Sequence, residues 1–319
     1  MEQLWVYIGF TFAAYSVVAN DSVQTLGTWI ASNRDKVRWQ WMWIAASAVL
    51  IATLWIGWFT LEGDISYGRL NKIPYVEIQW YHAAAPAILL LLTRIGIPVS
   101  TSFLVLSAFA STFILEKMII KSVIGYGIAA ICAYAVWIIL GRIIDEKKDV
   151  VNEKNKKLWR IGQWITTGFL WHTWLSHDMA NIAVFLPRDL SASWLVFSTV
   201  LLVSLLGYML WEKGGKIQQI VVNKTGTRYV RSATIIDFVY AVILLIFKEY
   251  NDIPMSTTWV FVGLLCGREL AISTVMENYK FKYVFPIISR DFGKMLFGAL
   301  VSVAIVLSIH YIIVPGGYY

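Results

Sequence analysis

Gly96-Ile97-Pro98-Val99-Ser100-Thr101-Ser102 and Asp252-Ile253-Pro254-Met255-Ser256-Thr257-Thr258 stand about 156 residues apart and share one pattern, Ile-Pro-x-Ser-Thr-Ser/Thr. Proline is tolerated where a helix starts, because the first-turn N–H groups have no intrahelical partner there anyway. Each motif therefore reads as a helix start between two apolar stretches, 79–93 and 99–115 in the first case, 233–247 and 255–271 in the second. All four stretches are short for a bilayer crossing, which takes about 20 apolar residues as helix. A re-entrant helical hairpin is expected in each half, with tips near 96–102 and 251–258.

A second pair of motifs repeats at almost the same offset. Asn20-Asp21-Ser22-Val23-Gln24 corresponds to His177-Asp178-Met179-Ala180-Asn181, about 157 residues later. Two independent motif pairs with one spacing indicate a duplicated unit. The expected division is a first repeat over 1–144 containing a broken helix, a linker over 145–158 on the cytoplasmic side, and a second repeat over 159–319. A hairpin makes no net crossing, so each half keeps three spans, and an odd number inverts the second half relative to the first. The fold class expected is an all-α integral membrane protein of the inverted-repeat secondary-transporter type.

Composition and charge agree with that frame. Of 319 residues, 58% are hydrophobic and only 15% charged, which excludes a soluble domain. The net charge of +7 resides in connections, not in a nucleic-acid-binding face. Lys147, Lys148, Lys154, Lys156, Lys157 and Arg160 crowd one connection, and Lys213, Lys216, Lys224, Arg228 and Arg231 another. By the positive-inside rule both are cytoplasmic, as is the one with Arg34, Lys36 and Arg38. The balanced 62–77 connection then lies outside, together with the N-terminus. The first apolar run, 4–18, has Glu2 and no basic residue ahead of it and no cleavage site after it, so it reads as a retained helix. Cys132 and Cys266 sit alone in apolar runs as small hydrophobes.

The polar motifs carry the chemistry. A helix N-terminus presents free amides and about half a positive charge, and hydroxyls add donors, so Ser100, Thr101, Ser102, Ser256, Thr257 and Thr258 suit a tetrahedral oxyanion. The same side chains would also serve as plain helix caps. Asp21 and Asp178 lie in or beside apolar helices, where an ionised carboxylate is costly unless it faces a polar cavity. With Asn20, Gln24 and Asn181 they form an oxygen set for a hard cation such as Na⁺, or an Asp could carry H⁺. His177 is either a titrating group or a satisfied helix-end histidine. Arg188 and Asp189 read as an outer gate or an exposed turn, and Arg268 and Glu269 as structural. An anion entering a negative-inside cell loses about 2.3 kcal/mol per charge per 100 mV, so uptake needs a co-transported cation. An enzyme acting on a phosphorylated lipid would place paired acidic or His residues at helical spacing, and no such local cluster occurs.

These motifs resemble those of the inorganic phosphate transporter (PiT) family. Ala19-Asn20-Asp21-Ser22-Val23-Gln24-Thr25-Leu26-Gly27-Thr28 is similar to its Asn-Asp signature, and Pro98–Ser102 and Pro254–Thr258 are similar to its Pro-Val-Ser-Thr-Thr signatures. Gly263 and Gly267 follow the second at the family's spacing. Gln24 stands in place of an Asn, His177 in place of the Asn before Asp, Ser102 in place of Thr, and Phe103 and Trp259 where His is usual. The resemblance implies a cation-coupled symporter of inorganic phosphate with no organic cofactor. It implies phosphate contacts from the six hairpin-tip hydroxyls, sodium contacts from the Asn/Asp motifs, and a homodimer. Relatives of this family include sulfate permeases, so sulfate or another small oxyanion, with Na⁺ or H⁺ coupling, remains the alternative.

Overall fold

The computed structural model describes residues 2–94, 99–143, 153–213, 230–275 and 281–314. Gly96, Ile97 and Pro98 of the first tip, Lys147 and Lys148 of the 145–158 connection, and Lys216, Lys224 and Arg228 lie outside the described residues. Among the described residues helix is the regular structure, with no strand.

The chain opens with α1 (Glu2–Ser16), passes through a π-helical segment (Val17–Asp21) and continues as α2 (Ser22–Asn33). Then come α3 (Trp39–Thr60), α4 (Trp80–Arg94), a π-helical segment (Ser102–Leu106) and α5 (Thr112–Ile143). The rest comprises α6 (Glu153–Asp178), the short α7 (Ala180–Ala183), α8 (Ala192–Trp211), α9 (Val230–Tyr250), α10 (Thr257–Val275), and α11 (Phe281–Ser308) with a terminal π-helical segment (Ile309–Ile313). Residues 153–158 of the expected linker already belong to α6.

Among the described residues, six helices are long and apolar enough to cross a membrane: Trp39–Thr60, Thr112–Leu140, Ala192–Trp211, Val230–Tyr250, Thr257–Val275 and Phe281–Ile313. Polarity is arranged for lipid as the solvent. Ile131 and Ile165 are 69% and 67% exposed, while Asn20, Asp237 and Asn181 are completely buried. Carboxylates and amides thus occupy the interior and isoleucines the rim, as a bilayer requires. The chain is a helical membrane protein.

One expectation about the hairpin arms changes. The first pair is short, 15 residues in α4 and 5 in the Ser102–Leu106 segment, but α9 and α10 have 21 and 19 residues. The difference arises because α9 runs through Arg231 at one end and Lys248 and Glu249 at the other, charges that bound the apolar run without ending the helix.

Packing between elements follows paired relations. α1 lies on α4, and α6 on α9. α3 lies on α6, and α8 on the 17–21 segment. α10 lies along α5, and α11 touches the 102–106 segment. The α5–α10 contact is extensive because Gly263 and Gly267 bring the two backbones together, leaving no room for a Cβ against the carbonyls of Tyr126 and Ala130. Indoles bind α3 to the second half, with Trp43 Nε1 donating to Val203 O (2.8 Å) and Trp58 Nε1 to Leu190 O (2.6 Å).

Candidate functional site

Both Asp motifs sit where a helix is interrupted. In the first, the π-helical Val17–Asp21 segment inserts a wider turn between α1 and α2, and hydroxyls take up the carbonyls that it frees. Ser22 Oγ donates to Val18 O, and Thr25 Oγ1 donates to Asp21 O at 3.1 Å. In the second, α6 ends at Asp178 and α7 begins at Ala180. Asp21 is 3% exposed and Asp178 1%.

The first tip reaches both motifs. Asn20 Nδ2 donates to Asp21 Oδ1 (2.7 Å) and to Val99 O (3.2 Å), fastening the tip to the first Asp motif. Gln24 Nε2 extends the chain to Asn20 Oδ1 at 3.4 Å. Ser102 Oγ donates to Asp178 Oδ1 (3.0 Å), fastening the same tip to the second. Asn181 Nδ2 also donates to Asp178 Oδ1, at 2.9 Å.

The second tip arrives beside the first. Phe103 and Trp259, each three residues beyond the first serine of its motif, meet edge to face with ring centroids 5.4 Å apart. The serines behave alike, Ser100 Oγ accepting from Phe103 N and Ser256 Oγ from Trp259 N, both at 3.2 Å. Those two residues are therefore helix caps in this structure. Thr257 Oγ1 accepts from Trp174 Nε1 (3.3 Å), and its carbonyl accepts from Tyr240 Oη (2.9 Å). All six tip hydroxyl residues are buried, as are Asn20, Asp21, Gln24, Asp178 and Asn181.

Thr101 hydrogen-bonds the Asp21 side chain and Thr257 that of Asp178, while Asn181 Oδ1 is buried without a partner. An amide carbonyl left bare beside two buried carboxylates suits a hard cation, which takes oxygen ligands of this type. His177 takes the structural role, with Nε2 bonded to Leu244 O at 2.7 Å. Arg188 is half-buried in a bend, its Nη2 donating to Ile73 O (3.1 Å) and Pro74 O (3.3 Å), and Asp189 beside it is exposed. Arg268 pairs with Glu269 at 2.7 Å.

Three charged residues that the motifs do not contain are also buried. Asp237, on α9, accepts from Thr28 Oγ1 (2.6 Å) and Thr167 Oγ1 (2.5 Å), one hydroxyl for each carboxylate oxygen. Lys121, on α5, donates to Asn251 O (3.1 Å), Asn251 Oδ1 (2.8 Å) and Ile253 O (2.8 Å). Arg69, from the connection between α3 and α4, donates from Nη1 to Asn251 O at 2.5 Å. Burial lowers the Arg69 guanidinium from its ordinary value, and the carboxylates of Asp252, Asp178 and Glu249 draw it back up. A lone charge in an apolar run is a legible signal for Asp237 and Lys121. Arg69 gives none.

No family model matches the sequence, and no curated protein matches it. A solved structure described as "The sodium-dependent phosphate transporter" superposes with a TM-score of 0.63 at 16% identity, covering 96% of both chains. At that identity the match concerns architecture, and over nearly its whole length this chain has the fold of that transporter.

Proposed function

We propose that this protein is a cation-coupled secondary transporter of inorganic phosphate, with the anion held between the two hairpin tips and the cation at the Asp motifs. The observation that carries the reading is the Ser102–Asp178 hydrogen bond together with the Phe103–Trp259 contact. They join motifs separated by 76 and 156 residues in one buried polar centre of a membrane protein. The similar fold of a protein described as sodium-dependent and as a phosphate transporter favours phosphate and Na⁺.

In this mechanism the tips hold the anion by helix-end amides and by the hydroxyls of Thr101, Thr257 and Thr258, while Ser100 and Ser256 keep the helix starts in shape. Asp21, Asn20 and Gln24 form one cation locus, Asp178 and Asn181 the other. Each ion then lowers the cost of burying the other, and by linkage each tightens the other's binding. The paired packing relations support an inverted repeat, with alternate exposure of the centre as one set of helices rocks against the other. The N-terminus lies outside in this reading, and the functional unit is a homodimer.

Uptake of radiolabelled phosphate and sulfate into proteoliposomes, with Na⁺ and proton gradients imposed separately, is the test. Phosphate accumulation driven by an inward Na⁺ gradient is expected. Absence of uptake of either anion under both gradients would remove the proposal, and preference for sulfate or for the proton gradient would redirect it.

A further inference from the structure

The connection between α3 and α4 places an arginine in the protein interior. Arg69 is 1% exposed, and only one edge of its guanidinium is used, Nη1 donating to Asn251 O. Nε and Nη2 are buried and have no hydrogen-bond partner among the described residues. Those two N–H groups form the side edge of the guanidinium plane, the pair of parallel donors that fits two oxygens of one carboxylate, sulfate or phosphate. A buried charge with two bare donors costs several kcal/mol unless a ligand completes it.

Its position relates it to the tips. Asn251 precedes Ser256 of the second tip by five residues, so the guanidinium is fixed to the approach of that tip. Asp178, which holds Ser102 of the first tip, is within its electrostatic range, as are Asp252 and Glu249. Lys121, fixed to the same residues, spends three donor contacts on Asn251 and Ile253. Lys121 thus has its donors in use, whereas the Arg69 guanidinium has two to spare.

We propose that Arg69 is a substrate-binding residue whose free Nε–Nη2 edge grips two oxygens of the tetrahedral oxyanion held at the tips. This rests on the oxyanion-transport reading above and adds to it a charged, geometry-selective contact that helix ends alone do not supply. The anion gripped there lies toward the carboxylates that carry the cation, so the two ligands alternate in charge between Arg69 and Asp178.

The experiment is equilibrium binding of radiolabelled phosphate to the purified full chain at saturating Na⁺, with sulfate as competitor, for the wild type, Arg69→Lys and Arg69→Gln. Both variants are expected to weaken phosphate binding by about tenfold to a hundredfold, since each loses the bidentate edge. The Lys variant keeps the charge and a donor for Asn251, so its anion-free melting temperature should match that of the wild type. Wild-type affinity in the Lys variant would overturn the proposal while leaving the transport reading intact. A wild-type chain that binds neither phosphate nor sulfate would overturn both. Should neither variant fold, NMR of the arginine Nε–H groups in the wild type decides: a phosphate-dependent shift of a slowly exchanging Nε–H supports the grip, and no shift in any of them refutes it.

Discussion

The two Ile-Pro-x-Ser-Thr motifs carry nearly the same six residues but are held in different ways. The second is clamped by its surroundings: Lys121 binds Asn251 and Ile253, Ser122 Oγ accepts from Ser256 N at 2.8 Å, and Gly263 and Gly267 seat α10 directly on α5. The first continues into a five-residue π-helical segment and is fastened by Asn20 at Val99 and by Asp178 at Ser102, the side chains assigned to the cation. One tip is thus part of a rigid block with α5, and the other depends on the cation motifs for its position. Under the proposed coupling this difference gives the cation a lever, because occupying Asp21 and Asp178 would set the place of the first tip while the second stays fixed.

Four substitutions sharpen or break the comparison. Asp178→Asn keeps an oxygen to which Ser102 and Asn181 can donate but removes the negative charge, and phosphate uptake is expected to fall at least about a hundredfold with the elution profile of the detergent-solubilised protein unchanged. Uptake above a tenth of wild type would mean that the Asp178 charge does not hold the cation. Lys121→Met strips donors from Asn251 and Ile253, so a loss of about 2 kcal/mol of stability is expected, read as a lower melting temperature in detergent. An equal loss from Asn20→Ala would abolish the distinction between clamped and cation-held tips. Instead, Asn20→Ala should raise the Na⁺ concentration for half-maximal uptake about tenfold while lowering the melting temperature by less than Lys121→Met does, because Asn20 holds its tip through one carbonyl and Lys121 holds the other through three acceptors. Smallest is Thr101→Val: its hydroxyl has one side-chain partner, Asp21, so the melting temperature should fall only slightly, while KM for phosphate rises about threefold through one lost hydrogen bond. An unchanged KM would place the anion away from Thr101.

How far the sequence could be read depends on where each residue's partners lie. The membrane spans show in composition because lipid selects side chains locally, and the tips show because proline followed by hydroxyls is a local helix-start signal. The serines show in the motif but not in role, since Ser100 and Ser256 act here as caps. The length of α9 was hidden by Arg231 and Lys248, which interrupt the apolar run without interrupting the helix. Arg69 could not be found at all: within a connection of balanced charge it reads as a topological marker, and its binding partner Asn251 lies 182 residues away. Asp237 was open to discovery as a carboxylate in an apolar run, but its donors Thr28 and Thr167 come from two other helices.

The ammonium of Lys121 has a consequence for how the chain is made. It sits nine residues into α5, about 14 Å along the axis at the usual rise, and its acceptors are translated 130 and 132 residues later. While the ribosome completes that stretch, the nascent first half holds a stranded charge that only water, lipid headgroups or an insertase can tend. A gene fragment ending before Asn251 should therefore yield a polypeptide that quality-control proteases remove, and co-expression of the missing piece should rescue it.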